Sequence, residues 1–206
     1  MAFALTTNWD IRTTGSDSNG GGWDTASSGT DYSQQNSAQV AFTDLVIGAT
    51  NTEITSALNP FTSAYVGNII NVTGGIGFTV QRVQVVSVLA GVATCDKAVG
   101  TASSTGGTGN LGGSLANFAT AVNIMPNSSA NTGNTVWIQS GTYTYTSTQT
   151  LTPGGGSAQI FGYQNTHGDF AARPLITTAT NSTTLITIGG ATLALSCPIF
   201  QTLKTS

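Results

Sequence analysis

The sequence predicts an all-β protein in three parts: an extended N-terminal arm (residues 1–36), a small sandwich- or barrel-like β module (37–113), and a short stack of coils with one capping helix and a C-terminal tail (114–206). Three observations carry this reading. Runs of Val, Ile and Thr are short and are broken every eight to twelve or so residues by Gly, Asn or Pro, the punctuation of strands and turns. Only one segment shows apolar residues at helical spacing. The chain is 39% hydrophobic but 6% charged, with a formal charge of -3. Disordered chains pair low hydrophobicity with high net charge, so this composition belongs to a chain that folds.

The arm is rich in Gly, Ser and Asp. Trp9 and Trp23 are its large anchors, while Gly15, Gly20, Gly21, Gly22 and Gly29 interrupt any regular element. Such a segment makes no core of its own and is ordered only by lying on something else.

The β module offers candidate strands at Thr43–Ile47, Glu53–Ser56, Ile69–Thr73, Phe78–Val80, Val83–Leu89 and Val92–Thr94. Asn59-Pro60 and Ala90-Gly91 read as turns, and Phe61 is expected to reach back into the core. Gly100–Gly113, dominated by Gly, Ser and Thr, reads as a linker.

Residues 114–126 supply the helix. Ser114 is placed to cap it, Leu115, Phe118, Val122 and Met125 share a face, and Pro126 ends it. Strands then recur about every ten residues at Thr135–Gln139, Gly141–Tyr145, Thr150–Thr152, Ile160–Tyr163, Leu175–Thr178 and Thr184–Ile188, with the loop Pro153–Gly156 between them. Coils that each bury a face on the next give such a pattern.

The string Gly133-Asn134-Thr135-Val136-Trp137-Ile138-Gln139-Ser140-Gly141-Thr142-Tyr143 resembles the opening coil of right-handed parallel β-helix proteins of the pectate-lyase-like superfamily. Ile160–Tyr163, His167-Gly168-Asp169 and Arg173-Pro174 are similar to the second-coil region of such proteins. Asn19–Trp23 and Gly29–Gln35 resemble leaders of β-helix proteins from tailed-phage gene sets. The resemblance implies a β-helix-like fold over residues 114–206, shortened to a few coils. Among functions it implies polysaccharide lyases and hydrolases, phage spikes and virion surface proteins. The segment Cys197-Pro198-Ile199-Phe200 departs from strand periodicity and reads as a cap or interface tail.

Catalysis in that superfamily uses clustered acids that hold calcium with an Arg or Lys base, or paired carboxylates. Residues 114–206 contain one acid, Asp169, and the cations Arg173 and Lys204. Asp169 and Arg173 read as a turn with a local ion pair. His167, the one histidine, reads as a surface loop residue, so no nucleophile–histidine arrangement is expected. Asp10, Asp17, Asp24 and Asp31 recur at intervals of seven, and Asp17–Gly20 resembles part of a calcium loop. The bidentate acid that completes such a loop is missing, so these read as turn formers. Trp137, Tyr143 and Tyr145 can stack sugars or pack the core. Cys95 and Cys197 read as buried free thiols. No enzyme activity, cofactor or metal is expected.

Five scattered cations (Arg12, Arg82, Lys97, Arg173, Lys204) make nucleic acid an unexpected partner. Met1–Leu5 lacks the basic start and apolar run of a signal peptide, and no stretch suits a membrane span. The expectation is a chain made in a host cytoplasm. Residues 98–168 carry no Asp, Glu, Lys or Arg, and so neutral a surface protects poorly against association. The expected role is a structural subunit of a tailed-phage virion: a capsid decoration or cement protein, trimeric, bound to the major capsid protein. A tail fibre or spike component binding a host receptor or glycan is the alternative. Trp9, Trp23, Tyr32, Ile199 and Phe200 are the expected interface residues.

Overall fold

A computed structural model describes residues 3–125, 134–152, 158–179, 186–188, 193–196 and 199–200. The arm is folded into the molecule. Its strands β1 (Thr7–Ile11) and β2 (Gly22–Asp24) pair antiparallel. Trp9 and Ile11 are fully buried, in one core with Leu115, Phe118 and Val136 from much later in the chain. The segment therefore does lie on something else, and that something is its own chain. Asn71 and Asn110 both donate to Ser18 O at 2.9 Å, and Arg82 donates to Gly20 O at 3.1 Å and Asn19 O at 3.0 Å. A Cβ at Gly20 would overlap the backbone at Ile69, so the arm lies close against it only as glycine.

Strands β3 (Val40–Ile47), β4 (Glu53–Thr55), β5 (Ile69–Gly74), β6 (Gln81–Leu89), β7 (Val92–Cys95) and β8 (Gly107–Leu111) form a closed barrel in the order β3-β4-β7-β6-β5-β8. Closure leaves no free edge. Leu45, Ile47, Ile54, Ile70, Val72 and Val83 fill it, and Phe61 stacks on Phe42 with ring centroids 4.9 Å apart, as its position after the Asn59-Pro60 turn implies.

Two expectations are corrected here. Gly100–Gly113 is no linker, because its second half is β8, which pairs with β3 and β5 and completes the barrel. Alternate residues of β8 are buried, and a Cβ at Gly107 would overlap the Phe78 ring. Glycine there is a packing requirement that composition alone reads as flexibility. Phe78–Val80 is not a strand; Phe78 makes a single bridge to Gly100 and its ring fills the space beside Gly107.

The helix α1 spans Phe118–Ile124 and is capped by Asn117, whose side chain accepts from Ala119 N–H at 2.8 Å. Ser114 is not the cap. Leu115 N–H donates to Asp10 O and Leu115 O accepts from Arg12 N–H, which keeps the chain extended until Asn117. The helical face is as expected, with Phe118, Val122 and Met125 buried beside Leu115. Pro126 lies outside the described residues.

Beyond α1 come β9 (Thr135–Gln139), β10 (Thr142–Tyr145), β11 (Gln149–Leu151), β12 (Ala158–Tyr163), β13 (Leu175–Thr178), β14 (Ile186–Ile188), β15 (Leu193–Ser196) and β16 (Ile199–Phe200). They form three parallel ladders: β9-β12-β15, β10-β13-β16 and β11-β14. Strand β1 adds in parallel to β9. Val136, Ile138, Ile160 and Ile176 point into a shared interior with Tyr143 and Leu151. The described residues are thus mostly β, with a closed six-stranded barrel, one α-helix and a set of parallel ladders. No helix among the described residues is long and apolar enough to cross a membrane.

Candidate functional site

Parallel register on the first ladder sets Asp10, Trp137 and Phe161 side by side on adjacent strands. Neighbours Val136 and Ile138 are fully buried, so strand alternation turns Trp137 to the outer face, and Asp10 and Phe161 with it. Arg12, two residues on from Asp10, and Tyr163, two on from Phe161, flank the row. The loop after β12 then folds back over this face. Asp169 shapes the loop: its carboxylate accepts from Gln164 N–H at 2.7 Å, Asn165 N–H at 2.6 Å and Thr166 N–H at 3.0 Å. These bonds, led by those from Gln164 and Asn165, lower its pKa to about 2. Asp169 thus makes the expected turn; its recorded partners are backbone N–H groups of its own loop rather than Arg173.

The loop folds His167 back onto this face, where it is half-buried, correcting its reading as a surface loop residue. Its ring stacks on Trp137 at 4.8 Å and 9° between planes, and meets Tyr163 edge-on at 4.8 Å. His167 Nε2 lies 2.7 Å from Asp10 Oδ2, the same oxygen that accepts from Tyr163 OH at 2.7 Å. Arg12 Nε donates to Asp10 Oδ1 at 2.8 Å. With an acceptor-only carboxylate as partner, Nε2 is the protonated nitrogen of His167. Burial and the adjacent carboxylate push the Tyr163 phenol up from its ordinary range, keeping it a donor. Burial opposes the Arg12 charge, but Asp10 outweighs it and the Arg12 pKa is raised.

Asp10 is fully buried, and both its oxygens are occupied. No hydroxyl or thiol nucleophile is recorded against His167 among the described residues. What the arrangement does is join. A carboxylate from the first strand holds donors from Arg12 just after β1, from β12 and from the loop after it, with chain separations of 153 and 157 residues for the last two. Around it, Trp137, Phe161 and Phe170 form an aromatic face. Phe170 is 48% exposed and sits at φ 45°, a left-handed conformation costly for a bulky residue.

The expected interface residues are placed as follows. Trp9 is fully buried in the chain's own core, edge-on to Phe3, so it has no surface to offer a partner. Trp23 is half-buried beside the barrel, pairing with Asn68. Tyr32 is half-buried, meets Tyr65 edge-on at 6.0 Å and packs against the barrel core. Strand β16 carries Ile199 and Phe200, whose side chains lie outside the described residues, as do Cys197 and Lys204. Cys95 is buried and free, and burial raises its thiol pKa well above the usual range. Among the described residues no cluster of His, Cys, Asp or Glu could hold a metal. The seven-residue series of aspartates is dispersed: Asp17 accepts from Ala116 and Asn117 N–H, Asp24 from Ala26 N–H, and Asp31 from Ser33 N–H. Tyr143 is core, donating to Gln139 O at 2.9 Å, and Tyr145 packs edge-on against Phe118.

Trp137 on β9 and the alternating Phe161 and Tyr163 on β12 were the available signal for the Asp10 site. Reading it required the parallel register, which no local pattern states. No protein-family model, curated protein or solved structure matches the chain.

Proposed function

We propose that this chain is a structural subunit of a tailed-phage particle, a decoration or cement protein that binds the shell through the major capsid protein and through copies of itself, as a trimer. The observation that carries the reading is the apolar display on the barrel. Ile76 is 94% exposed, Leu89 81%, Leu58 70% and Val80 68%, on a chain with 6% charged residues. Exposed residues of this kind in the loops and at a strand end of a closed barrel contribute nothing to its core, and exposed apolar surface marks sites of association. In the same reading, the three parallel ladders are the first coils of a short right-handed parallel β-helix. Among the described residues it carries no ionisable cluster beyond the Asp10 network on its outer face, whose groups hold strands together.

Purified protein added to shells that lack it tests the proposal. Co-sedimentation at a saturating copy number, with higher resistance of the shells to heat, is expected. Failure to bind such shells refutes it, and Ile76→Lys or Leu89→Lys should weaken binding without unfolding the barrel.

The aromatic face favours a second reading, a tail fibre or spike component that binds a host glycan. Phe170 beside Trp137 and Phe161, with the Gln139 amide donating to Gln164 O, has the apolar face that sugar rings stack on. Binding of the free protein to host cells, lost in Phe170→Ala, would favour that reading over the shell.

A further inference from the structure

The first layer of the parallel ladders has three strands, β9, β10 and β11, and their outer edges differ in how they are closed. Strand β1 pairs along β9. Asn123 of α1 closes β11 as a strand would, donating to Thr150 O at 2.9 Å and accepting from Thr152 N–H at 2.8 Å. Among the described residues nothing comparable reaches β10. Leu175 N–H donates to Gly141 O and Ala179 N–H to Tyr145 O, so the odd-numbered residues face β13. Strand alternation therefore turns the backbone N–H and C=O of Thr142 and Thr144 to the opposite edge. No described residue is recorded as bonding to them there. Along that edge runs a cleft of about 270 Å³, closed at one end by Thr13 against Gly141 and lined opposite by Ala116 and Asn117.

We propose that this cleft is a strand-acceptor site: an extended, uncharged segment of another protein subunit adds to the free edge of β10. An open edge strand is a template for pairing, and proteins that must avoid pairing protect it with charge, proline or a cover. Thr142-Tyr143-Thr144-Tyr145 has neither charge nor proline, and lies within a stretch free of Asp, Glu, Lys and Arg from 98 to 168. The occupant's chemistry follows from the lining. The charge that touches the wall is Asp17, whose carboxylate is committed to the N–H groups of Ala116 and Asn117. A charged segment would lose water there and gain no ion pair. Thr and Val in alternation suit the pleat and its two environments. The recess also selects against a second β10 from an identical copy, because two such edges would meet wall against wall before their strands came within pairing distance.

The test is amide hydrogen exchange at single-residue resolution on the full chain at micromolar concentration. The probe is a blocked pentapeptide alternating Val and Thr, with a matched peptide carrying two lysines. In the free protein, Thr142 and Thr144 should exchange quickly. With the neutral peptide both should slow about tenfold or more, as expected when a ligand occupies most of the sites. The lysine peptide should protect them far less. Thr144→Pro removes an N–H that β13 does not use and should abolish the effect with the fold retained, and Thr144→Lys should do the same. Thr101→Lys, at an exposed barrel position, should change nothing. Slow exchange of both amides in the dilute free protein overturns the proposal, as does unchanged exchange at millimolar peptide. Slowing that grows with protein concentration and needs no peptide also overturns it, in favour of pairing between copies. None of these outcomes bears on shell binding, so this proposal and the shell reading fail separately.

Discussion

If the Asp10 network is what joins the first strand to the loop after β12, removing one donor should cost stability only while the carboxylate is present. Tyr163→Phe deletes a buried hydroxyl that donates to Asp10 at 2.7 Å and leaves a ring of the same shape. A hydrogen bond to a charged partner contributes about 1.5–3 kcal/mol. Asp10→Ala removes the acceptor of three donors at once and strands the Tyr163 hydroxyl in a fully buried site, which costs about 3–5 kcal/mol. In the Asp10→Ala background, however, Tyr163→Phe removes an orphan and should be neutral or stabilising. The double-mutant cycle is therefore expected to show a coupling of about 2 kcal/mol, since contacting residues in one network are not additive. Urea unfolding read by tryptophan fluorescence suits the assay: all three tryptophans, Trp9, Trp23 and Trp137, lie outside residues 37–113. Tyr163→Phe alone should lower the midpoint by about 1 M. Additivity within about 0.5 kcal/mol would refute the claim that one carboxylate organises this junction.

Other groups give sharp expectations as well. Asp17→Ala removes acceptors for the N–H groups of Ala116 and Asn117 ahead of α1, and should destabilise the chain by about 1 kcal/mol in thermal unfolding, with Asp17→Asn recovering part of it. Asp169 has a depressed carboxyl pKa, so its hold on the loop is complete above the unfolded value of about 4 and is lost as pH falls through about 2. The indole NMR signal of Trp137, under the His167 ring, should shift over that window, and Asp169→Asn should remove that pH dependence. The Cys95 thiol, buried and with a raised pKa, should resist iodoacetamide at pH 8 in the folded protein and react in denaturant, as read by peptide mass mapping.

Strand content was legible in the sequence because β-branched runs and turn residues act locally. Val83–Leu89, Thr135–Gln139 and Leu175–Thr178 all lie within observed strands. What was not legible depends on partners distant in the chain. Strand β8 looks like a linker because its glycines answer to the Phe78 ring, some 30 residues away. Ser114 has the chemistry of a cap, yet pairing of Leu115 with β1 keeps that stretch extended. His167 beside Gly168 looks like surface, and only parallel register brings Trp137 and Asp10 beneath it. Trp9 failed as an interface residue for the opposite reason. A large aromatic in a glycine-rich arm needs a partner, and the chain's own core supplies it.

On the proposed function the chain is part of a phage particle, presenting apolar barrel residues and the β10 edge to neighbouring subunits. Cryo-microscopy of purified particles of the phage proposed to encode it tests this most directly. Density for the six-stranded barrel repeated on the capsid surface is expected, with exposed barrel residues such as Ile76 and Leu89 against neighbouring subunits. Particles that assemble and purify without the chain, leaving it free in the lysate, would contradict it.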